Sequence, residues 1–149
     1  MPTPLPDPFR TMGSECLGFN VRKTARILAR AFDEAFAPCG LKNTQVPILV
    51  TLHTAGPLQV GALAEQLDLD RTTLPRNLGP LERRGLVRVE QGADRRTRTI
   101  RITDAGETVL RDAIPLWRIL QERLVAALGP ERASRLREDL RDLAQAAGG

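Results

Sequence analysis

Apolar side chains recur at helical spacing along most of this chain, with charged and polar residues between them. Proline and glycine interrupt this pattern and divide it into segments, as the ends of helices commonly do. Pro115 falls inside one segment and predicts a bend there, because proline removes a backbone donor. Outside the central part of the chain, the segments that predict helices are residues 14–37, 44–53, 103–128 and 130–147. Ser14 and Thr103 are the predicted caps of the first and third of these helices.

The central part of the chain, residues 55–103, changes its pattern twice. Residues 60–67 predict a short helix, and a second apolar stripe over residues 69–81 predicts another. Asp68 lies between them and suits the left-handed backbone of a tight turn. Asp70 is a good N-cap for the second helix, because its carboxylate can accept from free backbone N–H groups.

Alternating apolar and polar residues follow this helix pair and predict a β-hairpin. Residues 86–91 form the first β-prone run, and Ile100 and Ile102 mark the second. Residues 92–97 then form the turn at the hairpin tip. Leu58 predicts a short strand against this sheet, so that the hairpin becomes the wing of a helix-turn-helix domain.

These elements predict a mainly α fold with a small β-wing, in which terminal helices flank a winged helix-turn-helix domain. We expect the 149 residues to form one domain. The terminal helices, residues 14–40 and 104–147, are too apolar along single faces to be satisfied inside it, which predicts a homodimer. Residues 1–13 contain four prolines and predict an extended arm.

Arginine dominates the charge of the chain and supplies 20 of its 22 basic residues. Residues 71–101, the basic window, hold nine arginines against three acids, a net charge of +6, while the whole chain is +4. Such a localised positive field is typical of a nucleic-acid-binding surface. Because no apolar run is long enough to cross a bilayer, we expect a cytoplasmic protein without a membrane partner.

The face of the second central helix that lies opposite its leucines carries side chains suited to base edges. In a helix-turn-helix, the N-terminal end of this helix enters the major groove, where arginine bonds guanine and asparagine bonds adenine. Pro75 is harmless if the helix starts near Thr72, whereas Pro80 predicts a bend over residues 76–80. The predicted groove-facing residues are Arg71, Thr72, Thr73, Arg76 and Asn77.

Three short segments of the central part form a specific combination: LERRGLV at residues 81–87, DRR at residues 94–96 and ITDAG at residues 102–106. Together they resemble the signature of the MarR family of bacterial transcriptional regulators. The resemblance implies a winged-helix homodimer on pseudo-palindromic double-stranded DNA, usually a repressor released by a small ligand or by thiol oxidation. It also implies that Arg96, with Arg95, enters the minor groove and that Asp94 braces a wing arginine.

Several residues outside the basic window are candidates for sensing a signal. Cys16 begins the first helix, where the helix dipole favours negative charge, although a small buried cysteine explains it as well. Continuous helix places Cys16 and Cys39 ~35 Å apart, too far for a disulfide within one chain. His53 is either a polar residue at a helix end or a ligand contact. The aromatic residues that line either an effector cavity or the core are Phe19, Phe32, Phe36 and Trp117.

No arrangement of residues in the sequence indicates an enzyme, a cofactor or a metal site. One histidine and two separated cysteines do not match the ligand spacing of zinc sites. The leading hypothesis is therefore a dimeric DNA-binding regulator, a repressor released by a small aromatic ligand. The alternatives are a thiol-based redox regulator that uses Cys16 and a winged-helix module whose arginines bind an acidic protein.

Overall fold

The computed structural model describes residues 7–70, 72–92, 94 and 96–148. Within that part, the chain forms seven α-helices and one three-stranded sheet, with a 3₁₀ turn at Ala37–Cys39. In chain order the elements are α1 (Pro8–Glu15), α2 (Leu17–Phe36), α3 (Val46–Ala55), β1 (Leu58–Gln59), α4 (Val60–Gln66), α5 (Thr73–Arg83), β2 (Val87–Gln91), β3 (Arg98–Ile102), α6 (Asp104–Leu128) and α7 (Pro130–Ala146).

The sheet is antiparallel, with the strand order β1-β3-β2. Leu58 of β1 pairs with Ile100 of β3, and Val89 of β2 pairs with the same residue on its other side. The apolar residues of the predicted hairpin therefore share one face, which is buried at Val87 and Ile100. The hairpin and the short strand at Leu58 are both confirmed, as is the mainly α fold with a β-wing.

The hydrophobic core lies inside the winged domain, between α3, α4, α5, the sheet and the first half of α6. Burial of these side chains holds the two central helices against the wing, since each leucine removed from water contributes about 1.5–3 kcal/mol. The largest fully buried side chains are Leu41, Ile48, Leu49, Leu52, Leu63, Leu74, Leu81 and Ile100.

The terminal helices leave large apolar side chains exposed in the single chain. Phe9 on α1 is 82% exposed and Ile119 on α6 is 68% exposed. The other large exposed apolar residues of these helices are Met12, Leu17, Phe19, Val21, Ile27, Ile114, Trp117, Leu136 and Leu140. A monomeric protein rarely exposes so extensive an apolar surface, so these helices are a candidate interface between subunits.

The expectation of an extended arm over residues 1–13 is wrong for its second half. Helix α1 begins at Pro8, and Asp7 caps it by accepting a hydrogen bond from the backbone N–H of Phe9 at 3.0 Å. Proline at the first helical position is favourable, so the pair Asp7-Pro8 starts a helix. Residues 1–6 lie outside the described residues.

The boundaries of the next two helices also differ from the prediction. Ser14 lies inside α1, where its hydroxyl donates to the carbonyl of Arg10, and α2 begins three residues later at Leu17. The helix expected over residues 44–53 runs over Val46–Ala55 instead. The long helix α6 begins after its predicted cap, Thr103, whose hydroxyl accepts from the backbone N–H of Gly106.

Candidate nucleic-acid interface

The turn between α4 and α5 fixes the start of α5, the second helix of the helix-turn-helix. Asp68 has φ 48°, the left-handed conformation predicted for it. The carboxylate of Asp70 accepts hydrogen bonds from the backbone N–H groups of Thr72 and Thr73 at 2.9 and 2.6 Å. The hydroxyl of Thr72 and the N–H of Thr73 lower the pKa of Asp70 to about 2, so this carboxylate stays ionised when it caps the helix. Helix α5 begins at Thr73, so Pro75 is its third residue and falls in the first turn, where proline is tolerated.

One face of α5 is buried and the other is free for a partner. Leu74, Leu78 and Leu81 pack into the core, whereas Thr72, Pro75 and Arg76 are exposed and Thr73 is partly buried. Helix α5 continues through Pro80 to Arg83, and the bend expected over residues 76–80 remains a prediction. Arg71, the first residue of the predicted groove-facing set, lies outside the described residues.

Asn77 differs from the other predicted groove-facing residues, because both ends of its side-chain amide are bonded within the protein. Its oxygen accepts from the hydroxyl of Thr44 at 2.7 Å, and its nitrogen donates to the carbonyl of Thr73 at 3.2 Å. Its assignment to an adenine edge stays a prediction. The bond from Thr44 fixes the side-chain orientation, which any contact with a base depends on.

Among the described residues of the wing tip, Asp94 is bonded to the backbone of Arg96 and of Thr97. Asp94 accepts from the backbone N–H of Arg96 through its carboxylate at 3.0 Å, and from the N–H of Thr97 through its carbonyl at 2.9 Å. Arg96 is exposed. Asp94 thus supports a wing arginine through the backbone of Arg96, while Arg95 lies outside the described residues.

The outer face of the wing concentrates positive charge. Arg88 of β2 lies directly opposite Arg101 of β3, and both are exposed. Glu90 offsets part of this charge, since one of its carboxylate oxygens lies 3.9 Å from Nε of Arg101. Like charges in facing positions of a sheet repel each other, so this face has an unbalanced positive field suited to a polyanion.

The base of the wing is joined to α6 by short contacts around Thr103. Its backbone N–H donates to the carbonyl of Leu86 at 3.1 Å, and its hydroxyl donates to the carbonyl of Gly85 at 2.6 Å. Gly106 packs against Leu86 so closely that a Cβ atom there would lie 3.1 Å from the Leu86 carbonyl carbon and 2.7 Å from Cγ1 of Ile102. The wing and α6 are therefore packed so closely that position 106 has no space for a side chain.

An apolar cavity of about 370 Å³ lies between the end of α2, α3 and α6. Trp117 is 45% exposed and lines it, and Phe36, which is also part of the core, forms another part of its wall. Two smaller cavities share lining residues with it, and one of them includes Phe32 and Asn43. The residues that line the cavity of about 370 Å³ are Phe36, Val46, Val50, Leu110, Ala113, Ile114 and Trp117.

The polar end of this cavity system was not found from the sequence. The second smaller cavity, of about 270 Å³, is lined in part by His53, Glu107 and Arg111. His53 places its Nδ1 2.8 and 2.9 Å from the two carboxylate oxygens of Glu107, which joins the end of α3 to the first turn of α6. Because His53 and Glu107 are 54 positions apart, periodicity alone could not pair them.

The remaining sensing candidates are not among the residues that line this cavity. Phe19 is 46% exposed on α2, and Cys16 is exposed where α1 meets α2. Cys39 is a partly buried free thiol, and burial together with the charge of Asp112 raises its pKa. Among the residues that the structure describes, no three metal-ligating side chains gather into a cluster, and no helix is long and apolar enough to span a membrane.

Comparison with known proteins relates the chain to transcriptional regulators. A family model described as the MarR family matches residues 40–97. The HTH-type transcriptional regulator YwoH of Bacillus subtilis is 30% identical over 87 residues, a match that covers 58% of this chain and 64% of YwoH, slightly less than two thirds of its length.

Solved structures extend this likeness over almost the whole chain. The M. tuberculosis transcriptional regulator MosR, in complex with DNA, is 40% identical with a TM-score of 0.81, covering 89% of this chain and 96% of that one. The transcriptional repressor CouR on a 23-mer DNA duplex is 27% identical with a TM-score of 0.82, covering 89% and 95%. CouR has also been solved with p-coumaroyl-CoA bound.

Proposed function

The chain belongs to the MarR family of winged helix-turn-helix transcriptional regulators, and we propose that it binds operator DNA as a homodimer and represses transcription. The observation that carries this proposal is the 40% identity to MosR, a regulator solved in complex with DNA, of whose chain the match covers 96%. The basic window lies on α5 and the wing, the two elements that face DNA in winged helices. The predicted family is confirmed.

The proposed interface uses two elements for two tasks. The exposed Thr72 and Arg76, with Arg71, lie in the major groove and read base edges, where arginine can bond guanine bidentately. Arg96 and Arg95 lie in a minor groove, where narrow A·T tracts concentrate negative potential. The bond from the backbone N–H of Arg96 to Asp94 supports this assignment, because it fixes the backbone at Arg96 and leaves the arginine side chain in solvent.

The proposed dimer buries the apolar faces of α1, α2, α6 and α7. Leu136 and Leu140 of α7 are each 44% exposed and lie four residues apart, the spacing of a helix–helix seam. A two-fold axis through this surface would place two α5 helices about one DNA turn, ~34 Å, apart, which is why a pseudo-palindromic operator is expected.

The proposed effector is a small aromatic acid that enters the cavity beside Trp117. An aromatic ring suits this apolar wall, and Arg111 at the polar end supplies a cation for the acid group. The p-coumaroyl-CoA held by CouR supports the aromatic part of this ligand, since its acyl group is aromatic. The thiol-based alternative uses Cys16, whose exposure leaves it open to oxidants.

DNA binding is tested with duplexes that the protein itself selects from a randomised library. We expect the selected duplex to bind more tightly than a scrambled one, with affinity falling linearly in a plot of log affinity against log salt. Arg76→Ala should weaken binding and reduce the preference for the selected duplex, whereas Arg96→Ala should weaken both duplexes alike. Arg137→Ala, on α7, is the charge-matched control. A protein that selects no duplex would support the protein-interaction module instead.

Ligand control is tested by release of the selected duplex. Cinnamic and p-coumaric acids should release it and change the fluorescence of Trp117, the only tryptophan. Ala113→Trp should fill the cavity and abolish release while DNA binding persists. Release by hydrogen peroxide in the wild type, but not in Cys16→Ser, would favour the redox alternative over the ligand.

A further inference from the structure

A short connector, residues 39–45, joins α2 to α3 and is hydrogen-bonded to α2 on one side. The Asp33 carboxylate accepts from the backbone N–H and the side-chain amide of Asn43, at 2.7 and 2.8 Å. Partial burial raises the pKa of Asp33, but the bonds from Asn43 and the charge of Lys42 outweigh it and lower the pKa overall. The connector is therefore fixed to the dimerisation helix by a charged acceptor.

The same connector is bonded to α5 at two separate points. Thr44 donates its hydroxyl to the Asn77 side-chain oxygen at 2.7 Å. At the C-cap of α5, the Arg84 guanidinium donates from Nη1 to the Gly40 carbonyl at 2.6 Å and from Nη2 to the Cys39 carbonyl at 3.0 Å. Each contact spans more than thirty positions of sequence.

The backbone of the connector is shaped to receive Arg84. Gly40 has φ 64°, a left-handed conformation that frees the carbonyls at the end of the 3₁₀ turn. A Cβ atom at position 40 would lie 3.3 Å from Nη2 of Arg84, so glycine also leaves room for the guanidinium. Two parallel donors match the planar fork of arginine, which a lysine ammonium cannot reproduce.

We infer that Thr44 and Arg84 are positioning residues for DNA recognition, which hold α5 and the Asn77 side chain in fixed relation to α2 through the connector. This inference rests on the proposed function, since it takes α5 as the helix that reads DNA. Arg84 belongs to the basic window and is exposed, yet its guanidinium donates two hydrogen bonds to carbonyls of its own chain. Its effect on binding should therefore depend on its shape more than on its charge.

The first experiment changes the shape of the side chain at position 84 while keeping its charge, and measures binding to the selected and scrambled duplexes. Arg84→Lys keeps the charge, and we expect roughly three- to tenfold weaker binding of the selected duplex, little change on the scrambled one and an unchanged salt slope. Arg83→Lys, one position earlier, should bind as the wild type does. Thermal unfolding by circular dichroism verifies that each variant is folded, and lost stability alone would leave the ratio between duplexes unaltered.

The second experiment is a double-mutant cycle between Thr44 and Asn77. Thr44→Val removes the hydroxyl at nearly constant volume and should weaken the selected duplex, but should have no further effect once Asn77→Ala is present. Thr54→Val is the control, because the hydroxyl of Thr54 bonds only the backbone of its own helix.

The outcomes separate this inference from the proposed function. A wild-type protein that selects no duplex overturns the proposed function, and the inference with it. A wild type that selects a duplex, while Arg84→Lys and Thr44→Val bind it equally well, overturns the inference alone. If the losses in binding caused by Thr44→Val and Asn77→Ala are additive, the positioning role of Thr44 is overturned.

Discussion

Replacing Gly106 with alanine should destabilise the protein, although the same change in an exposed helix stabilises it. Gly106 is the third residue of α6, where helix propensity favours alanine by about 1 kcal/mol. Against this, the new Cβ would press on the Leu86 carbonyl and on Ile102. Overpacking of this kind costs about 1–3 kcal/mol.

The backbone of Leu86 is poorly able to yield. Its carbonyl already accepts from the N–H of Thr103, so displacing it weakens a bond worth about 1 kcal/mol. Together these effects give a net loss of about 1–3 kcal/mol for Gly106→Ala. Because Thr103 joins the wing to α6, we also expect weaker binding of the selected duplex.

Equilibrium unfolding in urea measures this change, at one protein concentration because the stability of a dimer depends on it. Gly61→Ala in α4 is the matched control, since a Cβ there meets nothing within 4 Å. It should stabilise by about 0.5–1 kcal/mol. If Gly106→Ala proves as stable as the wild type or more so, the close packing of the wing against α6 is refuted.

Three further predictions concern the interface and its support. Because the pKa of Asp70 is lowered to about 2, its ionised cap stabilises the fold fully above the ordinary value, 3.8, and this stabilisation is lost as the pH falls through about 2. In Asp70→Asn, the midpoint of urea unfolding should therefore fall less steeply with pH between these two values. The same fall as in the wild type would contradict the role of Asp70. Leu74→Ala, at a fully buried position of α5, should cost about 2–5 kcal/mol by urea unfolding, and a loss below 1 kcal/mol would show that α5 is not packed as described. His53→Ala should cost less than about 1 kcal/mol, because the His53 side chain is 54% exposed and water screens its pair with Glu107, and a larger loss in the same assay would contradict this.

Local sequence patterns were sufficient to predict the elements that form the interface. The start of α5 follows from Asp70, because its carboxylate bonds the free backbone N–H groups two and three residues later. This capping depends on neighbouring residues alone and not on the rest of the fold. The wing follows from the alternation at Ile100 and Ile102, because only one face of a sheet can pack on the core. The cap at Thr103 follows from the same local chemistry.

The parts that were missed depend on contacts between distant residues or on very short signals. Helix α1 has only eight residues, so the pair Asp7-Pro8 was outweighed by the prolines around it. The contacts of Thr44 and Arg84 with their partners join segments that periodicity treats separately. In the basic window, charge alone could not distinguish Arg84, which is hydrogen-bonded to carbonyls of its own chain, from an arginine directed at a partner.

The facing arginines of the wing, Arg88 and Arg101, give salt two opposite effects on this protein. In the unbound wing, dissolved ions screen the repulsion between the strands, so added salt should slow amide hydrogen exchange in β2 and β3. In the complex, phosphates would take over that neutralising role, and added salt would compete with them. Part of the free energy of association would then come from removing the repulsion between Arg88 and Arg101, because the bound polyanion neutralises both charges.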